Sequence, residues 1–367
     1  LKYKESVNIE TREAAGMAGN SFGNSFKITT FGESHGDAVG VIVDGVTPGV
    51  ELDEKYIQAQ MDRRKPGQSP VTSPRKEYDV INILSGMFEG KTTGTTLFIM
   101  LHNKDMRPAA YDDIKYSFRP GHADYTYLKK YGIRDYRGSG RASGRETAGR
   151  VAGGAVARKL LENRGVSVIA YTTEIGGIKC HTFNESVIEQ NDVRACDPIA
   201  AIEMVKKIEH LAEIGDSCGG IVECRIRGLC AGIGEPVFDK LDAELAKAML
   251  SIGAVKGIEF GAGFAAAEML GSEHNDQMNI SGFLSNHAGG IVGGISTGEE
   301  IVFRMAVKPT SSISAPQRTM DIHGQEQIIK TFGRHDPCIC PRIIPVVEAM
   351  ACIVTEDLLK RQAALHD

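Results

Sequence analysis

The sequence predicts an α+β fold in which helices pack on antiparallel sheets, and three observations predict it. Apolar residues alternate as in strands over 26–31 and 39–44, and again near 79–88, 95–102, 167–175, 219–229 and 299–307. Helical periodicity appears over 53–64, 144–164, 199–213, 238–251, 318–331 and 343–361. Strands come in adjacent runs and do not alternate with single crossover helices, which disfavours a doubly wound parallel sheet. The second half repeats the mixture of the first, an internal pseudo-repeat, and no stretch is rich enough in Pro, Ser or charge to act as a linker. One domain over 17–367 is therefore expected. Residues 1–16 are polar and lack the apolar run of a secretory signal, so Met17 is the expected start, with 1–16 an added leader or a disordered tail.

Each element has a local reason. The strands 26–31 and 39–44 flank Gly32-Glu33-Ser34-His35-Gly36, which has the G-x-S-x-G spacing of a nucleophile elbow. An elbow needs a strand before it and a helix after it. Here a second strand follows, so Ser34 and His35 are expected at a hairpin tip. Helix 53–64 puts Ile57 and Met61 on one face and stops at Pro66-Gly67. The strands at 79–88 and 95–102 are joined by a Gly-containing turn, and 103–143 reads as a loop. Ser143-Gly144-Arg145-Glu146 has the S-x-x-E form of a capping box opening helix 144–164. That helix is built of small residues, Gly149, Ala152, Gly153, Gly154 and Ala155 among them, which let another helix come close. It is expected at the centre of a helical layer.

The charge balance excludes some functions. Forty-two Lys and Arg against 47 Asp and Glu leave a net charge of −5, unlike a general nucleic-acid binder. No apolar run approaches the length of a membrane span. The eight cysteines show no paired C-x-x-C spacing and read as free thiols of a cytoplasmic protein, and no metal site is expected. Cation is concentrated in one place: residues 116–150 hold eight Lys and Arg against three acidic side chains. Such an island on an acidic protein suits a small anion held in a site. It ends at a helix start, where Arg141 and Arg145 add donors suited to phosphate or carboxylate; Arg119 is a further candidate.

Three loops set a histidine beside Gly, Arg or Asp: 33–36, 118–124 with His122, and 333–337 with His335 and Asp336. Histidine exchanges a proton near neutral pH, which makes these loops candidates for acid–base work. Ala288-Gly289-Gly290-Ile291-Val292-Gly293-Gly294 has the glycine density of a ligand loop, and Lys308-Pro309-Thr310-Ser311-Ser312 offers one cation and three hydroxyls to an anion.

Taken together, Gly32-Glu33-Ser34-His35-Gly36, Gly140-Arg141-Ala142-Ser143-Gly144-Arg145-Glu146-Thr147 and Arg334-His335-Asp336-Pro337 resemble the chorismate synthase family. "FRPGHADYTYLKKYG" at 118–132 and "NHAGGIVGGISTG" at 286–298 strengthen the likeness, which runs from Met17 to about Leu365. The resemblance implies helices sandwiched between antiparallel sheets and a homotetramer. It implies conversion of 5-enolpyruvylshikimate 3-phosphate to chorismate and phosphate, with reduced FMN (FMNH2) required but no net redox change. By the same resemblance His122 protonates the leaving phosphate, His35 holds the flavin as its anion, and Asp336 with Ser34 as relay assists removal of the ring proton. Arg64, Arg119, Arg141 and Arg334 are expected around the phosphate, carboxylates and flavin. Arg141, Ala142, Ser143, Gly253, Ala254, Gly293, Lys308, Pro309, Thr310, Ser311, Ser312 and Arg334 match FMN-binding positions. The chain lacks insertions resembling a built-in flavin reductase, so a separate reductase is the implied partner. It departs from the family pattern at Pro70, where Arg or Lys is common, and at Gly253-Ala254, where Asn-Ala is common. The rival readings are another FMN-dependent oxidoreductase and a non-catalytic binder of an anionic metabolite.

Overall fold

A computed structural model describes residues 19–69, 71–72, 77–104, 108–331 and 335–365. The expected leader, Pro70 and Arg334 lie outside these described residues. The first half runs β1 (Lys27–Phe31), β2 (Ala38–Asp44), α1 (Glu54–Arg64), β3 (Ile81–Ser85), β4 (Leu97–His102), α2 (Asp124–Tyr131) and α3 (Thr147–Glu162). The second runs β5 (Ser167–Ile175), α4 (Pro198–Glu213), β6 (Gly220–Arg227), α5 (Leu241–Leu250), β7 (Val255–Phe260), β8 (Ile301–Val307) and α6 (Cys340–Ala363).

The two halves share one topology. The first sheet has the order β1-β2-β4-β3 and the second β5-β6-β8-β7, each with a two-residue strand added outside its first member, Ser21–Phe22 and Ile178–Lys179. All these pairs are antiparallel. In each half one helix, α1 or α5, separates the second and third main strands, and a long helix, α3 or α6, closes the unit. The internal repeat inferred from composition is thus a repeat of connectivity.

The helices lie between the sheets. In β8 alternate residues Ile301, Phe303, Met305 and Val307 point inward, the period a sheet with one covered face requires. α3 packs on β2 and on α6, while α6 packs on β5 and β6. Close approach depends on the small residues. A Cβ on Gly149 would stand 2.6 Å from the Gly40 carbonyl, and one on Gly154 would stand 2.3 Å from the Ala349 Cβ and 2.5 Å from its Cα. One hydrophobic core extends from Phe26 to Leu358.

α6 carries unusual polar burial. Glu348 is buried yet meets Arg63, Arg158 at 2.7 Å and the Ala170 N–H at 3.0 Å. Burial pushes its carboxyl up, but the two guanidinium groups outweigh this and hold it below the usual range. Asp357 accepts the N–H groups of Asn24, Ser25 and Phe26 at 2.9, 2.6 and 2.8 Å, fixing the chain as it enters β1. Pro345 lies inside the helix and has no N–H for the Pro341 carbonyl four residues earlier. Arg194 donates to that carbonyl instead.

Three expectations need correction. Residues 318–331 form a hairpin, Gln317–Met320 with Glu326–Ile329, and not a helix. Asp321 accepts the N–H groups of His323 and Gln325 at 2.8 and 2.9 Å, and Gly324 turns at φ +83°. These local bonds outcompete a helical turn. The capping box does not close: Ser143 caps a single 3₁₀ turn, Gly144–Glu146, and Glu146 binds Thr30 at 2.8 Å and Arg150 at 2.9 Å. The 103–143 loop contains α2, which ends on Gly132 in the left-handed region, φ +72°.

The contact at Gly154 gives a first prediction. Gly154→Ala gains helix propensity but forces α3 and α6 apart. It should cost roughly 1–3 kcal/mol, read as a lower thermal midpoint; an unchanged or raised midpoint would show that the helices yield freely.

Candidate functional site

A cleft of about 1730 Å³ opens where the β1–β2 hairpin, residues 118–147, the turn 251–254, the loop 308–312 and the segment 335–343 converge. Its walls bring together, from opposite ends of the chain, Arg64, Arg119, His122, Arg141, Lys308, Thr310 and Asp336.

The arginines are held by buried carboxylates. Asp79, 4% exposed, binds Arg64 at 2.6 Å and also pairs with Arg145. Burial pushes its carboxyl up, but the two guanidinium groups prevail and the net shift is down. Arg64 further donates to the Gly144 carbonyl and to Thr147, at 3.3 and 3.2 Å. Asp124 takes the Nε and Nη2 edge of Arg119, each at 2.8 Å, the Arg119 N–H at 3.1 Å and Arg134 at 3.3 Å. This leaves Arg119 Nη1 without a hydrogen bond among the described residues. Arg141 reaches the Gly32 and Thr30 carbonyls and Thr30 Oγ1 at 3.2, 3.1 and 2.8 Å, tying the hairpin to the start of α3. Arg150 pairs with Glu146 one helical turn away, as the spacing predicts.

His122 sits beside Arg119. Its Nδ1 lies 3.1 Å from the Pro120 carbonyl and its Nε2 2.7 Å from Ser312 Oγ. The carbonyl only accepts, so Nδ1 carries the proton of the neutral ring and Nε2 accepts from the serine. Burial, then Arg119, lower its pKa to about 4, so the ring is neutral at pH 7. The two loops interlock: Ser311 donates to the Gly121 carbonyl at 2.9 Å, and a Cβ on Gly121, at φ +71°, would stand 2.7 Å from Ser311 Oγ.

The 308–312 loop places one cation and three hydroxyls at the cleft. Lys308 donates to Ser311 at 2.5 Å, and burial, with Lys256 nearby, lowers the pKa of its ammonium. Thr310 Oγ1 is buried without a hydrogen-bond partner among the described residues. Ala254 adopts φ +79°, a costly conformation for a residue with a Cβ, and its carbonyl accepts the Lys308 N–H at 2.9 Å. A Cβ on Gly253 would meet nothing within 4 Å, so the cleft there is wider than a side chain would leave it. Ala142 and Ser143 also line the cleft.

Ser34 and His35 are at the hairpin tip but lie behind the cleft wall. His35 is 8% exposed, edge-on to Tyr111, with Nδ1 3.1 Å from Ser34 Oγ. Gly138 covers them: a Cβ there would stand 2.3 Å from His35 Cε1. Asp336 faces the cleft and pairs with Arg342, and no hydrogen bond joins it to Ser34. Gly293 is not part of the cleft wall; it turns the hairpin Ile291–Val292 to Ile295–Ser296. The glycines before it serve backbone packing, since Cβ atoms on Gly289 and Gly290 would stand 2.5 Å from the Gly261 N and 2.6 Å from the Glu300 carbonyl. Pro309 is exposed between two wall residues.

Sequence reasoning missed Asp79, Asp124, Tyr111 and Ser139, whose Oγ accepts from Arg119 Nη2 at 2.5 Å. Asp124, five residues after Arg119 in a turn-rich loop, carried a faint signal. Asp79 carried none, since its partners are 15 and 66 residues away.

Comparison with known proteins agrees with this arrangement. The family model described as chorismate synthase matches residues 26–359. The chain is 53% identical over 350 residues to a chorismate synthase of Syntrophobacter fumaroxidans and 55% identical over 350 residues to that of Desulfosudis oleivorans, in each case over 95% of this chain and 99% of the relative. The Methanosarcina mazei chorismate synthase is 53% identical over 359 residues, covering 95% of this chain and 98% of that one. A solved chorismate synthase structure superimposes with a TM-score of 0.74 at 29% identity, over 93% of both chains. Sequence, topology and cleft agree, and the chain belongs to the chorismate synthase family of lyases.

Proposed function

We propose that the cleft holds reduced FMN and 5-enolpyruvylshikimate 3-phosphate together and that the chain expels phosphate from the latter to give chorismate. One observation carries this reading: the cleft, about 1730 Å³, exceeds the roughly 300–1,000 Å³ of a site for one drug-sized ligand, and Arg64, Arg119, Arg141, Arg145 and Lys308 all line it. Reduced FMN, when bound there, would supply electron density to the ring as the phosphate leaves, with no net redox change. Lys308 and Thr310–Ser312, with Arg141, Ala142, Ser143, Gly253 and Ala254, are the residues assigned to hold it; the unpartnered Thr310 hydroxyl and the partly buried Lys308 fit an anionic group.

Arg119 Nη1 and Arg64, both on the cleft wall, are assigned to the substrate's anionic groups. The Arg119 guanidinium needs no reorganisation, because Asp124 already fixes its plane. His122 is neutral in the free site. A phosphate dianion beside it favours the charged ring against both burial and Arg119, so Nε2 gains a proton as substrate binds and passes it to the departing phosphate oxygen. Asp336 is assigned to the proton leaving the ring. The hydrogen bonding of Ser34 suits orientation of the His35 ring better than a relay to Asp336. His35, which lies under Gly138, is assigned to holding the flavin as its anion.

We further propose a homotetramer, for which exposed Phe238, Phe264 and Ile280 offer apolar surface, and a cytoplasmic setting with flavin reduced by a separate reductase. Among the described residues no helix is long and apolar enough to cross a membrane.

Under oxygen-free conditions, substrate with reduced FMN should yield phosphate and chorismate in equal amounts while reduced flavin is conserved. His122→Ala should lower kcat by roughly 10²–10⁴-fold with substrate still bound. Stoichiometric consumption of reductant would favour the oxidoreductase, and unchanged turnover in the variant would remove His122 as the acid.

Proton linkage gives an independent check. The pKa of about 4 lies below the ordinary 6.5, so the folded protein prefers the neutral ring. That contribution to stability is complete above about pH 6.5 and is lost as pH falls towards 4. Titrating substrate into protein with oxidised FMN at pH 7, in buffers of different ionisation enthalpy, should show proton uptake that His122→Asn loses. Equal uptake in both proteins would contradict the assignment.

A further inference from the structure

We propose that Cys180 and Cys196 form a redox-active dithiol, a modification site at which a peroxide joins the two thiols as a reversible intramolecular disulfide. Strand β5 brings them together. The Cys180 N–H donates to the Thr173 carbonyl at 2.8 Å, while the neighbouring Thr172 pairs with Ala195 and its N–H donates to the Arg194 carbonyl at 2.9 Å. Residues 180 and 195 thus occupy consecutive places along one edge of the strand. The two side chains share a small apolar cluster with Tyr171 and Ile188, and Cys180 also packs against the edge of the main core. Each also lies 3.5 Å from a backbone carbonyl, Thr172 for Cys180 and Thr182 for Cys196.

The pair is asymmetric in the sense a redox couple requires. Cys180 is partly exposed, whereas Cys196 is 3% exposed. The neighbouring Cys196 thiol lowers the Cys180 pKa against the effect of burial, helped by the Asp197 N–H; the Cys180 thiol and burial raise that of Cys196. A partly exposed, acidified thiol beside a protonated neighbour has the attributes of a sensor cysteine with its resolving partner. The Cys180 thiolate attacks the peroxide O–O bond, forming an S–OH bond and releasing one oxygen as water. The Cys196 sulfur then displaces the remaining hydroxyl, which leaves with the Cys196 proton as a second water. Two electrons pass from the two thiols to the peroxide, and one S–S bond forms.

The other cysteines lack this combination. Cys218, Cys338 and Cys340 adjoin one another but are all buried, Cys224 and Cys352 are buried as well, and Cys230 is exposed with no sulfur neighbour among the described residues. Closing 180 to 196 would also fasten the segment between them. That segment carries Glu189, which binds Arg63 on α1 at 2.6 Å, and Arg194, which supplies the Pro341 carbonyl in the first turn of α6. The oxidised protein should therefore resist heat better than the reduced one.

The test treats the full-length protein with an equimolar dose of hydrogen peroxide, followed by thiol counting under denaturing conditions and peptide mapping. Wild type should lose two of its eight thiols to a single 180–196 link and gain thermal stability, and dithiothreitol should reverse both changes. Cys180→Ser should keep its remaining thiols at the same dose, and Cys196→Ser should hold a trappable sulfenic acid at Cys180. A first link at any other pair, dimerisation through Cys230, or full retention of thiols in wild type would overturn the proposal. The wild-type map decides this even if a variant fails to fold.

Discussion

Two buried carboxylates, Asp79 and Asp124, make it possible for this protein to have a cleft full of cations. Guanidinium groups crowded together repel one another, and each loses hydration on entering a wall. Asp79 pairs with Arg64 and Arg145, and Asp124 with Arg119 and Arg134. Breaking such a buried pair from one side typically costs about 3–5 kcal/mol, so the arginines have little freedom to collapse onto a ligand. Their donors stand where charge has to be stabilised before anything binds. Because Asp124 grips one edge of Arg119, the other edge is left for a ligand, and because His122 is buried and lies beside Arg119, the imidazole stays neutral until an anion arrives.

The scaffold that holds these pairs follows from small residues. Gly149 and Gly154 let α3 lie against the Gly40 carbonyl and the backbone of α6 at once, so a helical layer fits between two sheets. Repetition of the same six-element connectivity then sets the loops of both halves around one cleft. The β1–β2 tip and the α3 start come from the first half; the loop after β8 and the start of α6 come from the second. Interlocking of Gly121 with Ser311, and of His122 with Ser312, joins segments 190 residues apart.

Much of this was legible in the sequence because it is local. The Ser34–His35 tip follows from strand periodicity on both sides, and the role of α3 from its run of small residues. What is settled by distant partners was not legible. Glu146 sits at the right spacing to close a capping box, but Thr30, 116 residues away, claims it. The 317–329 hairpin has enough apolar residues for a helix, but the Asp321 carboxylate binds the turn. Glycines 289 and 290 suggested a ligand loop and instead admit neighbouring backbone. The residues that carry most of the cleft's electrostatics, Asp79 and Asp124, are single acids in ordinary contexts whose meaning exists only in three dimensions.

The claim that the cleft's cations are fixed in advance is tested most directly by a crystal structure with oxidised FMN and the enolpyruvyl substrate bound. The account predicts that Arg119 keeps its two-bonded grip on Asp124, with Nη1 on a ligand anion and His122 Nε2 within hydrogen-bond distance of the substrate phosphate. An Arg119 swung away from Asp124, or a phosphate seated out of reach of His122, would contradict it.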